Sequence, residues 1–179
     1  MTVSEPAARP LTARDPRLAP WRAFMLAHAR VSRRLDEELR AEHDISFAEY
    51  DALLTIAQAP ERRIRMGQLA EEVLLSKSGV TRLIDRLVGD GLVERSACMA
   101  DARGAEAVLT ERGLARLRLA SRTHLRGITD HFLAVVDPSD LEMLERSMTA
   151  MARQAGPGDG ESARCATDGA ESPSADGGR

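Results

Sequence analysis

The stretch from Leu69 to Arg103, LAEEVLLSKSGVTRLIDRLVGDGLVERSACMADAR, constrains what this chain can fold into more than any other. Val80, Leu83, Ile84, Leu87 and Val88 recur at helical spacing and form one continuous apolar face. Ser78, Thr81, Arg82, Asp85 and Arg86 fall on the opposite face. Ser76 is placed to cap this helix, and Gly89, Asp90 and Gly91 stop it. Leu92 to Ser96 then opens a hairpin that returns along Ala105 to Leu109, with Arg103 in the loop between. Ahead of the helix, Gly67 to Leu74 reads as a shorter one with Leu69, Ala70, Val73 and Leu74 inward, and the turn falls at Leu75 and Ser76. Two short helices, a tight turn and a hairpin in immediate succession set a polar helix face and a basic loop side by side on one duplex-sized surface.

The flanking segments extend the helical pattern. Trp21, Phe24, Met25, Val31, Leu35 and Leu39 keep a 3.6-residue period and predict a long first helix. A second helix runs from about Ser46 to Ala59; Ser46 with Glu49 three residues on forms a capping box, Tyr50, Leu53, Leu54, Ile56 and Ala57 supply the buried stripe, and Pro60 ends it. Arg63 to Met66 suits a short strand. After Thr110, an N-cap candidate, residues Glu111 to Val136 carry Leu114, Leu117, Leu125, Ile128, Phe132 and Val135 as one stripe of a long connecting helix. Beyond Asp137 and Pro138, a last helix presents Leu141, Leu144, Met148 and Met151, too few apolar residues to make a core alone. The expected fold class is mostly α (α+β): a winged helix-turn-helix with long N- and C-terminal dimerisation helices and one β-hairpin wing.

Composition bounds the rest. The 179 residues, 43% hydrophobic and 30% charged, suit a single helix-rich domain. No apolar run approaches the ~18 residues of a membrane span, and the first twenty residues lack a signal peptide's apolar stretch, so a cytoplasmic protein is expected, with no membrane partner. Residues 1–19, with Pro6, Pro10 and Pro16, read as a flexible arm; 20–155 as the domain, with a DNA-binding lobe at about 46–110; and 156–179, with six of the thirteen glycines, as a disordered acidic tail. That tail holds five acids against two arginines and so accounts for the whole formal net charge of −3. Within Ser76 to Val88, Lys77, Arg82 and Arg86 face only Asp85, a local excess of positive charge where a polyanion would dock. Lys77 is the one lysine among 25 formal cations; the arginines suit bidentate phosphate and guanine contacts, and they equally fit a general arginine bias of composition.

From about residue 20 to 153 the chain resembles the MarR-type (multiple antibiotic resistance regulator) winged-helix transcription factors. SKSGVTRLIDRLVGDGLVER is similar to that family's recognition helix and first wing strand, and Asp101-x-Arg103 followed by Leu109-Thr110 is similar to its wing. The resemblance implies that Arg103 enters the minor groove, oriented by Asp101, a role that suits arginine in a narrow electronegative groove. Gly104 stands where a second basic residue is common in the family, and Ala105 to Ala107 make a weak strand. Ser76, Lys77, Ser78, Thr81, Arg82, Arg86 and Arg95 join Arg103 as expected DNA contacts. In such proteins the first and last helices interlock between two chains, which implies a homodimer and a pseudo-palindromic double-stranded DNA operator as partner.

The regulator's signal is less directly written. His28 lies within the first helix's apolar stripe, and with Trp21, Arg22, Phe24, Phe47 and Tyr50 it could hold a small aromatic or phenolic effector: Arg22 on a carboxylate, His28 as hydrogen-bond partner, the rings as walls. A lone histidine on such a stripe is also a common core or interface residue. Cys98, between Arg95 and Arg103, offers a redox alternative, and a small apolar thiol is the simpler account of it. His124 and His131 share a helix face without a compact ligand motif, so no metal and no cofactor are implied, and a solvated or interface face is expected there. No phosphate loop, nucleophile elbow or Cys-His signature points to an enzyme. A winged helix that contacts only proteins stays open beside the DNA-binding regulator.

Overall fold

The computed structural model describes residues 11–73, 75–97 and 105–155. After a 3-10 turn at Pro16–Leu18, capped by the Asp15 side chain, helix α1 runs Ala19–His43 and stops at Asp44, whose φ of 54° lies in the left-handed region. Helix α2 (Phe47–Gln58) starts at the capping box expected from sequence: Ser46 Oγ accepts from the Glu49 amide, and the Glu49 carboxylate accepts from the Ser46 amide. A 3-10 turn at Pro60–Arg62 leads into strand β1 (Arg63–Arg65) and helix α3 (Met66–Glu72). Helix α4 (Lys77–Gly89) follows on its Ser76 cap, then strands β2 (Val93–Ala97) and β3 (Ala105–Leu109), helix α5 (Glu111–Ile128) and helix α6 (Leu141–Ala155).

The sheet is antiparallel throughout, in the order β1-β3-β2, with Ile64 opposite Ala107 and Val93 opposite Leu109. The fold is thus a winged helix-turn-helix, mostly helical with a three-stranded sheet. Its core is built around α2, which buries Tyr50, Ala52, Leu53 and Ile56 against Leu69 of α3, Val80, Ile84 and Leu87 of α4, and Leu117 and Ala120 of α5. Burial of apolar surface at about 25 cal/mol per Å² makes this cluster the main source of stability. Among the described residues no helix is long and apolar enough to cross a membrane.

Helix α5 departs from the stripe read in the sequence. Leu117 is buried and Leu114 half-buried, but Leu125, Phe132 and Val135 are exposed, and the inward face is instead Gly113, Leu117, Ala120, Thr123 and Gly127. Nor is the helix regular to Val136: a π-helical turn takes over at Thr129–Leu133. Small residues face inward because α5 lies very close to its neighbours. A Cβ on Gly127 would come within 2.5 Å of Leu35 Cδ2 and 2.6 Å of Glu38 Oε2, and one on Gly113 would collide with the Leu92 carbonyl. In α1, likewise, only the second half is inward: Leu35 and Leu39 are buried, whereas Trp21, Phe24 and Met25 are exposed.

Gly113→Ala should therefore destabilise by about 1–3 kcal/mol or more, because the obstacle is backbone and cannot rotate away. Gly67→Ala, where nothing lies within 4 Å of the added carbon, should be neutral or stabilising by up to about 1 kcal/mol. Urea denaturation of the two variants beside the wild type checks the contrast.

Candidate nucleic-acid interface

Helix α4 presents its polar face by fixing its other face in the core. Val80, Leu83, Ile84 and Leu87 are buried, so Ser78, Thr81, Arg82, Asp85 and Arg86 are turned outward and exposed. Ser76, in extended conformation, accepts from the Gly79 amide at 3.1 Å and lies 3.2 Å from the Ser78 hydroxyl. That cap leaves the amides of the helix's first residues without intrahelical acceptors, at the positive end of the helix dipole. Thr81 spends its one hydroxyl proton on the Lys77 carbonyl at 2.9 Å, so in this rotamer it can only accept from a ligand.

Five cations on and beside α4 divide by what holds them among the described residues. Arg95, on β2, pairs with Asp85 at 2.9 Å and donates to the Thr81 carbonyl at 3.3 Å, which ties the wing strand to one flank of α4. Arg86 pairs with Glu49 at 2.9 Å and ties the opposite flank to the start of α2. Arg63 of β1 pairs with Glu61 and Glu106. Lys77 and Arg82 make no ion pair with the described residues, and both are exposed. Of the residues expected to contact DNA, Ser76, Lys77, Ser78, Thr81, Arg82, Arg86 and Arg95 thus share one surface. Asp101 and Arg103 lie outside the described residues, as does Cys98.

Glu49 is the residue of this region that sequence reading recognised only as a cap. Burial works to raise its carboxyl, but the Ser46 amide, the Ser46 hydroxyl and the Arg86 guanidinium outweigh burial and hold it below its ordinary value. Its link to Arg86 spans 37 positions, beyond the reach of any local pattern.

The six residues expected to form an effector pocket fall into two groups. Trp21 and Phe24 have ring centroids 6.0 Å apart, and Phe24 and His28 6.3 Å, on the exposed first half of α1; Arg22 donates to the Ala13 carbonyl. Phe47 and Tyr50 instead contact His124 of α5, at 5.6 and 4.5 Å between centroids. Within one chain no ring contact joins the two groups among the described residues. His124 was expected on a solvated or interface face; it is half-buried, and its Nδ1 is buried without a hydrogen-bond partner among the described residues. Burial pushes its pKa down, with Asp51 opposing, and burial likewise pushes Asp51 up. The signal that could have found it is the spacing of Leu117, Ala120 and His124 at i, i+3 and i+7, which continues the inward face.

Comparison with known proteins places this geometry. The sequence model of the MarR family matches residues 43–104. No curated protein sequence matches the chain. Among solved structures, AbsC, a MarR family transcriptional regulator from Streptomyces coelicolor, is similar with a TM-score of 0.74 and 29% identity, covering 82% of this chain and 97% of that one. Sco3205, a MarR family transcriptional regulator from the same organism solved in complex with DNA, gives 0.77 and 27%, over 88% and 97% of the two chains. A mutant of MarR from E. coli complexed with operator DNA shares the fold at 0.68 and 23% identity, over 78% and 99%.

Because the folded-state pKa of His124 lies below its ordinary 6.5, the unfolded chain binds the proton first as pH falls. Stability should be fully present above about pH 6.5 and decline below it, and His124→Phe should flatten that decline. Urea midpoints of both proteins at pH 7.5, 6.5 and 5.5 provide the check; parallel pH profiles would place the titrating group elsewhere.

Proposed function

We propose that the chain is a MarR-type winged-helix protein and a DNA-binding transcription regulator, acting as a dimeric repressor released from its operator by a small aromatic or phenolic molecule. The observation that carries the reading is the outer face of α4, where Lys77 and Arg82 stand exposed without an ion pair among the described residues, on a helix whose inner face is buried and whose flanks are tied by Arg86 and Arg95. Halfway along the helix, Arg82 reaches base edges in a major groove, and the Lys77 ammonium with the Lys77 and Ser78 amides meets phosphate. Arg103, oriented by Asp101, supplies the minor-groove contact from the wing. The DNA complexes of Sco3205 and of the E. coli MarR mutant support this assignment.

A second copy of the chain accounts for the apolar surface that the first leaves open. Helix α6 buries no residue, Met143, Met148 and Met151 along it are exposed, and Trp21, Phe132 and Val135 are exposed as well. Pairing of these segments across a two-fold axis sets two α4 helices about 34 Å apart, one DNA turn, and calls for a pseudo-palindromic operator. The Trp21, Phe24 and His28 rings belong to the exposed first half of α1, one of the segments assigned to that pairing, so an aromatic effector held there changes the spacing of the two DNA-binding lobes and lowers affinity for DNA.

With DNA from upstream of its own gene, Arg82→Ala should weaken binding by about 1–3 kcal/mol and relax sequence preference at one position in each half-site. Arg103→Ala should weaken binding evenly across sequences. Unchanged affinity in both, or a wild-type affinity that does not fall as salt rises, would sink the assignment.

His28→Ala should bind operator as the wild type does but no longer be released by the aromatic acid or phenol that releases the wild type. Release that survives the substitution would move the effector site elsewhere.

A further inference from the structure

We propose that Glu49 is a positioning residue for DNA binding: it holds the Arg86 guanidinium by one nitrogen so that the remaining two face a backbone phosphate beside α4. The proposal rests on the DNA-binding reading above and adds a residue outside the recognition helix to it.

The geometry of the pair is unequal. Glu49 is the fixed end: its side chain is 12% exposed, and its Oε2 accepts from the Ser46 amide at 2.7 Å and from the Ser46 hydroxyl at 2.8 Å. Arg86 is the free end: 60% of its side chain is exposed, and its one bond, to Glu49 Oε1, is made through Nε. Its two terminal nitrogens have no partner among the described residues. Those two nitrogens carry the parallel N–H groups that match two oxygens of a phosphate. An untethered arginine loses much rotamer entropy on such a contact; one already held at Nε has lost most of it before DNA arrives. The other arginine pair of this surface is built the opposite way. Arg95 spends a terminal nitrogen on Asp85 and on the Thr81 carbonyl, so its fork is already occupied.

Charge alone makes the opposite prediction, because a carboxylate close to DNA repels phosphate and its removal should tighten binding. The sign of one substitution therefore separates positioning from bulk electrostatics. Glu49→Gln retains the capping box, which accepts Gln at this place, with the amide oxygen toward Ser46, and replaces the acceptor of Arg86 by an NH2 that can neither accept from Nε nor balance its charge.

The experiment compares operator affinity over a range of salt concentrations for the wild type, E49Q, R86A and the double variant, with thermal unfolding recorded for each. E49Q is expected to weaken binding about three- to tenfold and to lower the salt slope by about one, as R86A does by removing the phosphate contact itself. The double variant is expected to bind no more weakly than R86A. Equal or tighter binding by E49Q overturns the proposal. So does a loss of affinity that persists in full in the R86A background, or one that follows a lowered melting temperature with the salt slope unchanged. A wild-type protein that binds no DNA would instead overturn the reading on which the proposal stands.

Discussion

The direction in which the recognition helix points depends on a backbone joint between its far end and the start of α5. Helix α4 closes through Gly91, at φ +68°, with the Gly91 amide on the Val88 carbonyl at 2.9 Å and the Leu92 amide on the Leu87 carbonyl at 2.8 Å. The Gly91 and Leu92 carbonyls then receive the Thr110 hydroxyl, and Leu92 also receives the Thr110 amide at 3.1 Å. The same Thr110 caps α5 by accepting from the Gly113 amide, and Gly113 has no side chain where the Leu92 carbonyl lies. One hydroxyl and one missing Cβ thus join the end of α4, the base of the hairpin and the first turn of α5. Neither helix can turn without breaking several backbone bonds at once, so the orientation of α5 is the orientation of the reading face.

Helix α5 passes that constraint to α1 along a seam that only small residues permit. Ala120, Thr123 and Gly127 bring the two backbones close enough for short polar side chains to meet across them. Thr123 donates to Glu42 at 2.9 Å; having spent its proton, it accepts from His43 Nε2 at 2.8 Å, which sets the histidine tautomer. Arg126 reaches Glu42, Arg116 reaches the His43 carbonyl, and His131 in the π-helical turn meets Glu38 at 2.7 Å. The second half of α1 is therefore packed into the body that holds α4, whereas its first half and α6 leave apolar side chains exposed. The contacts of α1 with α5, and of α5 with the end of α4 at Gly113, run without a break from Glu38 to Leu92.

How much of this was legible in sequence follows from the range of each interaction. The caps at Ser46, Ser76 and Thr110 are local patterns, and all three stand where the sequence puts them, as do β3 and the start of α5. The inner face of α4 was equally plain because Val80, Leu83, Ile84 and Leu87 kept one period, but Val88, read as its fifth member, is exposed at the helix's last turn. The face of α5 was misread because apolarity was taken as the sign of burial: at a close helix crossing the buried residues are Gly, Ala and Thr, and Leu125 is left outside. The partners of Arg86 and Arg95 were illegible, since the charge of a segment does not reveal which acids elsewhere in the fold will neutralise it. The contact of Phe47 and Tyr50 with His124 was hidden in the same way, by the more than seventy residues between them.

The pairing of those arginines bears on what kind of reader this surface can be. Counted along the sequence, α4 and the wing strand offer four cations; counted in the fold, Asp85 and the Thr81 carbonyl engage a terminal nitrogen of Arg95, and Glu49 holds Arg86 by Nε alone. A face whose cations are partly neutralised gains less from non-specific attraction to phosphate, the term that dominates weak binding to any duplex. The pairs in exchange tie α4 on both flanks, through Arg95 to the hairpin and through Arg86 to α2, and so fix the angle at which Arg82 leaves the surface. Specificity is the ratio of correct to incorrect binding, and it rises when the general term is lowered and the oriented contact is kept. The acids on this surface, which look out of place in a nucleic-acid interface, are on that argument part of how it discriminates.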